Sequence, residues 1–492
     1  MKKVFADFRR HHIIFLLILG AIFLFRLPSL FEPFWYGDEG IFAAVGRNLN
    51  FGGTLYQTAW DNKPPMIYLT YAAIFKTFGV SMFWLRLVTL VVALVTAAAI
   101  YEIAQKVLGE KRALLATGIF GVLSSLRIIE GNLALTEIFM ILPISLAFLV
   151  AIKRNFDYLS LFAAGLLFAL GSLYKQVGAL EAAALGIFLF VYTKRFLEFV
   201  KKGFVLTLGF LVPYLFFILY FAQKNLVGEY IFAAYTYYQI YLNESPQYQI
   251  FINILKFMPI VASIAFAIYQ KKKGQVSLLN LFFLWGAFSF LGSFFSGRTY
   301  GHYLVQGVPA LSLLLASIPR KIDFRRSFVV FLVFFALPLL LLFKFLFADY
   351  GVVELRTQVK YWKNFFSFAS DGRTLSQYND SYDSNVNKIM ALDNFIRSRE
   401  ARGKTVYVWG DIAWLYAISD LNNPSRYVTS FHVFGVPGGR EEVINNLREN
   451  PPVYIILAPS SIGYFDELEK LLATSYTHTS TVEDSRIFQR KD

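Results

Sequence analysis

Long apolar stretches alternate with short polar connectors over the first two thirds of the chain. A helix needs about 20 apolar residues to cross the hydrocarbon core of a bilayer. Eleven stretches approach that length: 13–31, 81–105, 113–129, 137–152, 158–174, 177–193, 203–222, 251–270, 278–296, 303–319 and 327–347. The first follows a basic start (Lys2, Lys3, Arg9, Arg10) and lacks a small-residue cleavage site, so it reads as a membrane helix rather than a signal peptide. From residue 348 the pattern changes. Residues 386–402 have amphipathic helical spacing, 405–409 (TVYVW) and 453–458 (VYIILA) read as buried strands, and helical patterns recur near 440–449 and 463–473. The polar stretch 370–385 reads as a connecting loop. The expected fold class is a polytopic α-helical membrane protein of about eleven spans, residues 1–347, carrying a C-terminal α/β domain, residues 348–492.

Charge decides the orientation. With the N-terminus in the cytoplasm, the connectors that fall inside carry Lys106, Lys111 and Arg112; Lys153 and Arg154; Lys194, Arg195, Lys201 and Lys202; Lys271, Lys272 and Lys273; and Arg320, Lys321, Arg325 and Arg326. Every short basic connector lands on one side, as the positive-inside rule requires. An odd number of spans then puts the C-terminal domain outside. The expected location is a plasma (inner) membrane. Composition agrees: 56% of residues are hydrophobic and 16% charged, with 53 Phe and 29 Tyr to furnish a lipid-facing surface and interfacial belts. There is no Cys, which excludes disulfides and thiolate metal sites. The net charge of +14 is spent on topology and implies no nucleic-acid partner.

The polar groups that remain gather at the outer ends of the spans. The first outer loop, 32–80, opens with FWYGDEGIFAAVGRNL, placing Asp38 and Glu39 directly after the first span. Later it reads WDNKPPMIYL, with Asp61, Asn62 and Lys63 before two prolines that stiffen the backbone and hold the lysine near the membrane surface. Glu130, Asn132, Thr136 and Glu137 lie between the third and fourth stretches, Lys175 and Gln176 after the fifth, and Arg298, His302, Tyr303 and Gln306 after the ninth. Glu181 lies in the outer half of the sixth, with Lys175 as a candidate partner. Carboxylates from two loops suit a general base or a divalent cation, Mg²⁺ or Mn²⁺. Lys and Arg at the same depth suit a phosphate arriving through the lipid and stabilise it as it leaves. A transporter or flippase of a lipid-linked or anionic substrate is the alternative. It would place polar groups nearer the midplane and show repeated halves. A non-catalytic scaffold would not need Asp38, Glu137 and Lys63 together.

The order of these groups is DE after the first span, KPP closing the first outer loop, TE opening the fourth span, KQ after the fifth, and R-x-x-x-H-Y-x-x-Q-x-x-P entering the tenth. In this the chain resembles the GT-C glycosyltransferases. The nearest branch is family 39, with protein O-mannosyltransferases and the aminoarabinose transferases that modify lipid A. The resemblance extends to the tail, in VYVWGDIAWLYAISDLNNPSRYV. It implies an inverting transfer of a sugar from a polyprenyl-phosphate donor to a hydroxyl of a lipid, glycan or protein at the outer face. It implies Asp38 and Glu137 as catalytic acidic residues or ligands of a divalent metal (Mg, Mn or Zn). Lys63, with Lys175, Arg298 and His302, would meet the donor phosphate. Glu39, Asp61, Glu130, Tyr303 and Gln306 would line the substrate. In one place the pattern departs from the aminoarabinose transferases: Asn62 stands where they have an acidic residue before the lysine, and Asp61 is one position earlier.

Overall fold

The structure is a computed structural model that describes residues 2–243, 249–296, 298, 300–318, 340, 356–460 and 462–491. It divides into two compact units. One comprises residues 1–29, 86–220 and 244–361, the other residues 30–85, 221–243 and 362–492.

The first unit is helical. Among the described residues of the chain, four helices are long and apolar enough to cross a membrane: Arg10–Phe31, Met82–Leu108, Thr136–Lys153 and Phe196–Gln223. Shorter apolar helices include Tyr158–Ser172, Gln176–Tyr192 and Leu278–Phe294. Several stretches read as single spans are thus broken. The stretch 113–129 is a helix ending at Leu123 followed by a 3-10 turn, Arg127–Ile129. That beginning near 303 is a 3-10 segment, Gly301–Gly307, running into the helix Val308–Ser317. A 3-10 turn rises about 2 Å per residue against 1.5 Å, so it extends a short helix while loosening its regular pattern. The stretch 327–347 lies outside the described residues apart from Leu340. Helices approach closely where side chains vanish. A Cβ on Gly209 would meet the Phe162 carbonyl oxygen at 2.1 Å, and one on Gly165 the Leu206 carbonyl oxygen at 2.2 Å. Small residues at a crossing are how helices gain packing where lipid supplies no hydrophobic drive.

The second unit pairs the amphipathic helix Gly37–Asn50 with the helix Met66–Phe78, both from the segment read as the first outer loop. Its C-terminal part holds a four-stranded sheet in the order β1-β2-β4-β3, where β1 is Val406–Trp409, β2 Tyr454–Leu457, β3 Tyr476–Val482 and β4 Ser485–Arg490. β1 and β2 are parallel and buried along their whole length, which is why they read as continuous apolar runs. The crossover between them contains the helix Gly439–Glu449. β4 runs antiparallel to β2 and forms a hairpin with β3. That hairpin escaped the pattern reading because β3 is mostly exposed and polar. Within 370–385, Leu375–Asp380 is helical, started by a capping box of Thr374 and Gln377.

Candidate functional site

Asp38, Glu39, Asp61 and Lys63 belong to the second unit; Glu130, Glu137, Lys175, Arg298, His302, Tyr303 and Gln306 belong to the first.

In the second unit, Asp38 lies in the first turn of the helix Gly37–Asn50, whose N-cap is Tyr36. It is half-buried, and among the described residues its carboxylate has no hydrogen-bond or ion-pair partner. The helix start suits an anion there without consuming it, because the N-terminal dipole favours negative charge. Glu39, one position on, is buried. The helix is fixed along its length. The indole N–H of Trp414 donates to the Tyr36 carbonyl at 2.9 Å, and Arg47 pairs with Asp420 at 2.7 Å. Gly40 lies so close to Trp414 that a Cβ would come within 2.8 Å of its ring.

Asp61 does not face open space. It is buried, accepts the Tyr68 hydroxyl at 2.7 Å and lies 3.2 Å from His432 Nε2. Burial alone would push its carboxyl up. The His432 hydrogen bond, the charges of Lys63 and His432 and the Tyr68 hydrogen bond outweigh that, and hold it well below the usual carboxylate range. Lys63 is half-buried, its ammonium donating to Asn62 Oδ1 at 2.7 Å. Its backbone is held on both sides: its N–H donates to the Tyr68 hydroxyl at 3.1 Å, and its carbonyl accepts the Tyr56 hydroxyl at 2.7 Å. Tyr68 and His432 did not stand out in the sequence. A tyrosine on an apolar helix face reads as core, and His432 is 371 residues from Asp61 along the chain.

In the first unit, Glu137 in the first turn of Thr136–Lys153 forms an ion pair with Lys175 at 2.5 Å, both side chains buried. Its other oxygen accepts the Thr136 hydroxyl at 2.8 Å. The Lys175 ammonium also lies over the Tyr303 ring, 3.4 Å from its centre. His302 Nδ1 is 2.7 Å from Glu130 Oε2, and its ring meets Tyr303 edge-on at 4.8 Å. Five residues expected near the substrate thus form one connected polar group: Glu130, Glu137, Lys175, His302 and Tyr303. The 3-10 segment Gly301–Gly307 is seated by Gly301, where a Cβ would meet the Ile128 carbonyl oxygen at 2.3 Å. Glu130 itself has left-handed backbone, φ +52°, a conformation that a non-glycine residue holds only under external constraint. Arg26 supplies part of that constraint. Its guanidinium donates to the carbonyls of Ser124 and Gly131, the latter at 3.0 Å, and to Ser125 Oγ at 3.0 Å. A lone arginine inside the first apolar stretch was the overlooked signal.

Glu181 is partnered by Ser289 and Gln306, at 2.9 and 2.8 Å, while Lys175 goes to Glu137. Gln306 is accordingly buried among helices. The Arg298 backbone N–H donates to Ser296 Oγ at 3.3 Å. As for a metal, the described residues contain no group of three or more His, Cys, Asp or Glu able to hold one, and both carboxylate oxygens of Glu137 are engaged. These residues do not fit a cation at Glu137.

Residues 62–221 match the sequence profile of the dolichyl-phosphate-mannose-protein mannosyltransferases. That match begins at Asn62 and takes in Lys63, Glu137 and Lys175. No curated protein matches in sequence. Among solved structures the chain is similar to ArnT from Cupriavidus metallidurans bound to undecaprenyl phosphate, with TM-score 0.59 and 14% identity over 97% of each chain. It is similar to the apo state of the same protein, with TM-score 0.58, 13% identity, 96% of this chain and 97% of that one. The apo oligosaccharyltransferase from Archaeoglobus fulgidus follows at TM-score 0.50 and 13% identity, covering 91% of this chain and 69% of that one. The chain is a multi-pass membrane protein with the GT-C glycosyltransferase fold, and its residues 62–221 carry the mannosyltransferase family's sequence signature.

Proposed function

We propose that the chain is an inverting glycosyltransferase that moves a sugar from a polyprenyl-phosphate donor to a hydroxyl of a lipid, glycan or protein at the outer face of the plasma membrane. The observation that carries this is Asp38. It is a carboxylate held at a helix start, half-open to solvent, and free of any protein partner among the described residues. A structural carboxylate is normally engaged; a base must be free to take a proton. The reading is supported by the family match, which includes Lys63, and by the undecaprenyl phosphate bound in ArnT, whose fold the chain shares.

In this mechanism Asp38 accepts the proton of the acceptor hydroxyl as its oxygen attacks the anomeric carbon. The new C–O bond forms on the face opposite the phosphate, so the configuration inverts. The bond from the anomeric carbon to the phosphate oxygen breaks, and its electron pair leaves with the polyprenyl phosphate. The Lys63 ammonium stabilises that leaving charge. Lys175, balanced by Glu137 and resting on Tyr303, is assigned to the same phosphate, as are Arg298 and His302. Glu39, Glu130 and Tyr303 shape the substrate surfaces. Asp61 supports the Lys63 loop through the Tyr68 hydroxyl. No step is routed through a metal. Turnover that stops with a chelator and returns with Mg²⁺, Mn²⁺ or Zn²⁺ would instead make Asp38 a metal ligand.

The test uses the purified chain in nanodiscs beside Asp38→Ala, each given a panel of polyprenyl-phosphate sugars and membrane-extract acceptors, with release of free polyprenyl phosphate measured. Release by the wild type and its loss in the variant is the expected result, and the active donor names the sugar. Equal release by both removes Asp38 from the chemistry, and no release by either favours transport. The topology has its own test. The chain lacks cysteine, so one introduced at Lys491 should react with an impermeant maleimide from outside, and one at Lys201 should not.

A further inference from the structure

Lys63 ends a loop that residues 426–432 clamp, hundreds of positions later in the chain. The carbonyl of Arg426 accepts the Trp60 N–H at 2.9 Å, and the Arg426 guanidinium donates to the Tyr56 carbonyl at 3.1 Å. Tyr56 is left-handed, at φ +68°, and fully buried. A tyrosine holds that conformation only where its surroundings impose it. The Trp60 ring is enclosed edge-on by Tyr237, Tyr427 and His432, with centres 5.0, 5.8 and 5.0 Å away. Arg426 is itself secured by Glu229 and Glu442, each at 2.8 Å.

The clamp continues as a line of hydrogen-bonding groups to the lysine. His432 is 1% exposed and its Nε2 stands 3.2 Å from Asp61 Oδ1. The other Asp61 oxygen accepts the Tyr68 hydroxyl at 2.7 Å, and that hydroxyl accepts the Lys63 N–H at 3.1 Å. Each link leaves the next group one orientation. His432 fixes the carboxylate, the carboxylate fixes which way the hydroxyl donates, and the hydroxyl's lone pair receives the peptide N–H of Lys63. The line reaches the lysine through its backbone N–H, while its ammonium donates to Asn62 Oδ1 at 2.7 Å.

We propose that His432 is a positioning residue: acting through Asp61 and Tyr68, it sets the backbone of Lys63, so the C-terminal segment 426–432 completes the donor-phosphate loop. The inference rests on the reading that Lys63 meets the phosphate of a polyprenyl-phosphate donor. The energetic link is geometric. A hydrogen bond to a charged group loses most of its strength when its donor moves by about an ångström, a change worth roughly tenfold in affinity.

The experiment measures binding of polyprenyl phosphate, and the KM and kcat for the sugar-bearing donor, on the full chain in nanodiscs. The variants are His432→Ala, His432→Gln, Tyr68→Phe and Lys63→Ala. His432→Ala should weaken polyprenyl-phosphate binding and raise donor KM about tenfold, with kcat changed less. His432→Gln, whose amide can still donate to Asp61, should recover most of the loss. Tyr68→Phe removes a single oxygen and keeps the packing. It should reproduce the effect, and combined with His432→Ala it should add little, because both cut the same line. If Lys63→Ala weakens binding while His432→Ala and Tyr68→Phe do not, the positioning role is wrong and the phosphate reading of Lys63 stands. If Lys63→Ala itself leaves binding unchanged, the phosphate reading fails, and the positioning proposal with it.

Discussion

The Glu137–Lys175 pair makes a sharp quantitative prediction. The two charges are 2.5 Å apart, with side chains 2% and 7% exposed. At an effective dielectric near 20, their attraction is about 7 kcal/mol. Most of this is offset by the several kcal/mol that burying each ion costs. Lys175→Met strips the carboxylate of that cation and leaves it the Thr136 hydroxyl at 2.8 Å as its hydrogen-bond partner among the described residues. Glu137→Gln removes the negative charge facing the ammonium, which still lies over the Tyr303 ring at 3.4 Å. Each single change should therefore destabilise the chain by about 3–5 kcal/mol, the usual effect of breaking a buried pair. The double variant leaves no unpaired ion and should lie within about 2 kcal/mol of the wild type, below the sum of the singles by several kcal/mol. The assay is the thermal transition of the four proteins in identical nanodiscs. For a chain of 492 residues the shift is about 1 °C per kcal/mol, so the singles should fall by roughly 3–5 °C and the double should recover most of it. Singles that melt with the wild type, or effects that simply add, would show that the charges are not coupled and that the group built on Glu137, Lys175 and Tyr303 is misjudged.

Asp38→Ala should abolish release of polyprenyl phosphate while stability changes by no more than about 0.5 kcal/mol, since the carboxylate has no hydrogen bond or ion pair among the described residues to lose; a large fall in melting temperature would make it structural. Gly301→Ala puts a methyl group 2.3 Å from the Ile128 carbonyl oxygen. It should cost about 1–3 kcal/mol and displace His302 from Glu130, read as a lowered melting temperature with reduced turnover. Asp61 gives a pH prediction. Its folded carboxyl lies below the ordinary 3.8, so its contribution to stability is complete above that value and is lost as pH falls beneath it. Asp61→Asn should be less stable than the wild type at pH 7, and the gap should close in strong acid. A gap that widens as pH falls below 4 would contradict the depressed carboxyl.

How much was legible in the sequence follows from the range over which each force acts. Membrane helices announce themselves because every residue in lipid must be apolar and every backbone group must bond within its own segment. The expected sidedness rests on the basic residues of each connector, which answer to the membrane and not to the rest of the fold, and the maleimide labelling tests it. β1 and β2 were visible as short β-branched runs, while β3 was not, because an exposed polar edge strand resembles a loop. The residue types of the candidate site were legible too. Acidic and basic groups at the ends of apolar stretches are costly enough to be noticed.

Tertiary structure decided the partnerships. Lys175 had two carboxylates within a few residues of helix ends, Glu137 and Glu181. The fold gives it Glu137, and gives one oxygen of Glu181 the Ser289 hydroxyl and the Gln306 amide instead. Asp61 read as a loop acid facing substrate. The fold buries it against Tyr68 and a histidine 371 positions away. Composition and periodicity depend on a residue and its near neighbours, so the sequence by itself determined which segments are apolar, which ends are charged and which chemistry is on hand. Which carboxylate is paired and which, like Asp38, has no partner among the described residues depends on side chains brought together from distant segments, and only the folded chain settles that.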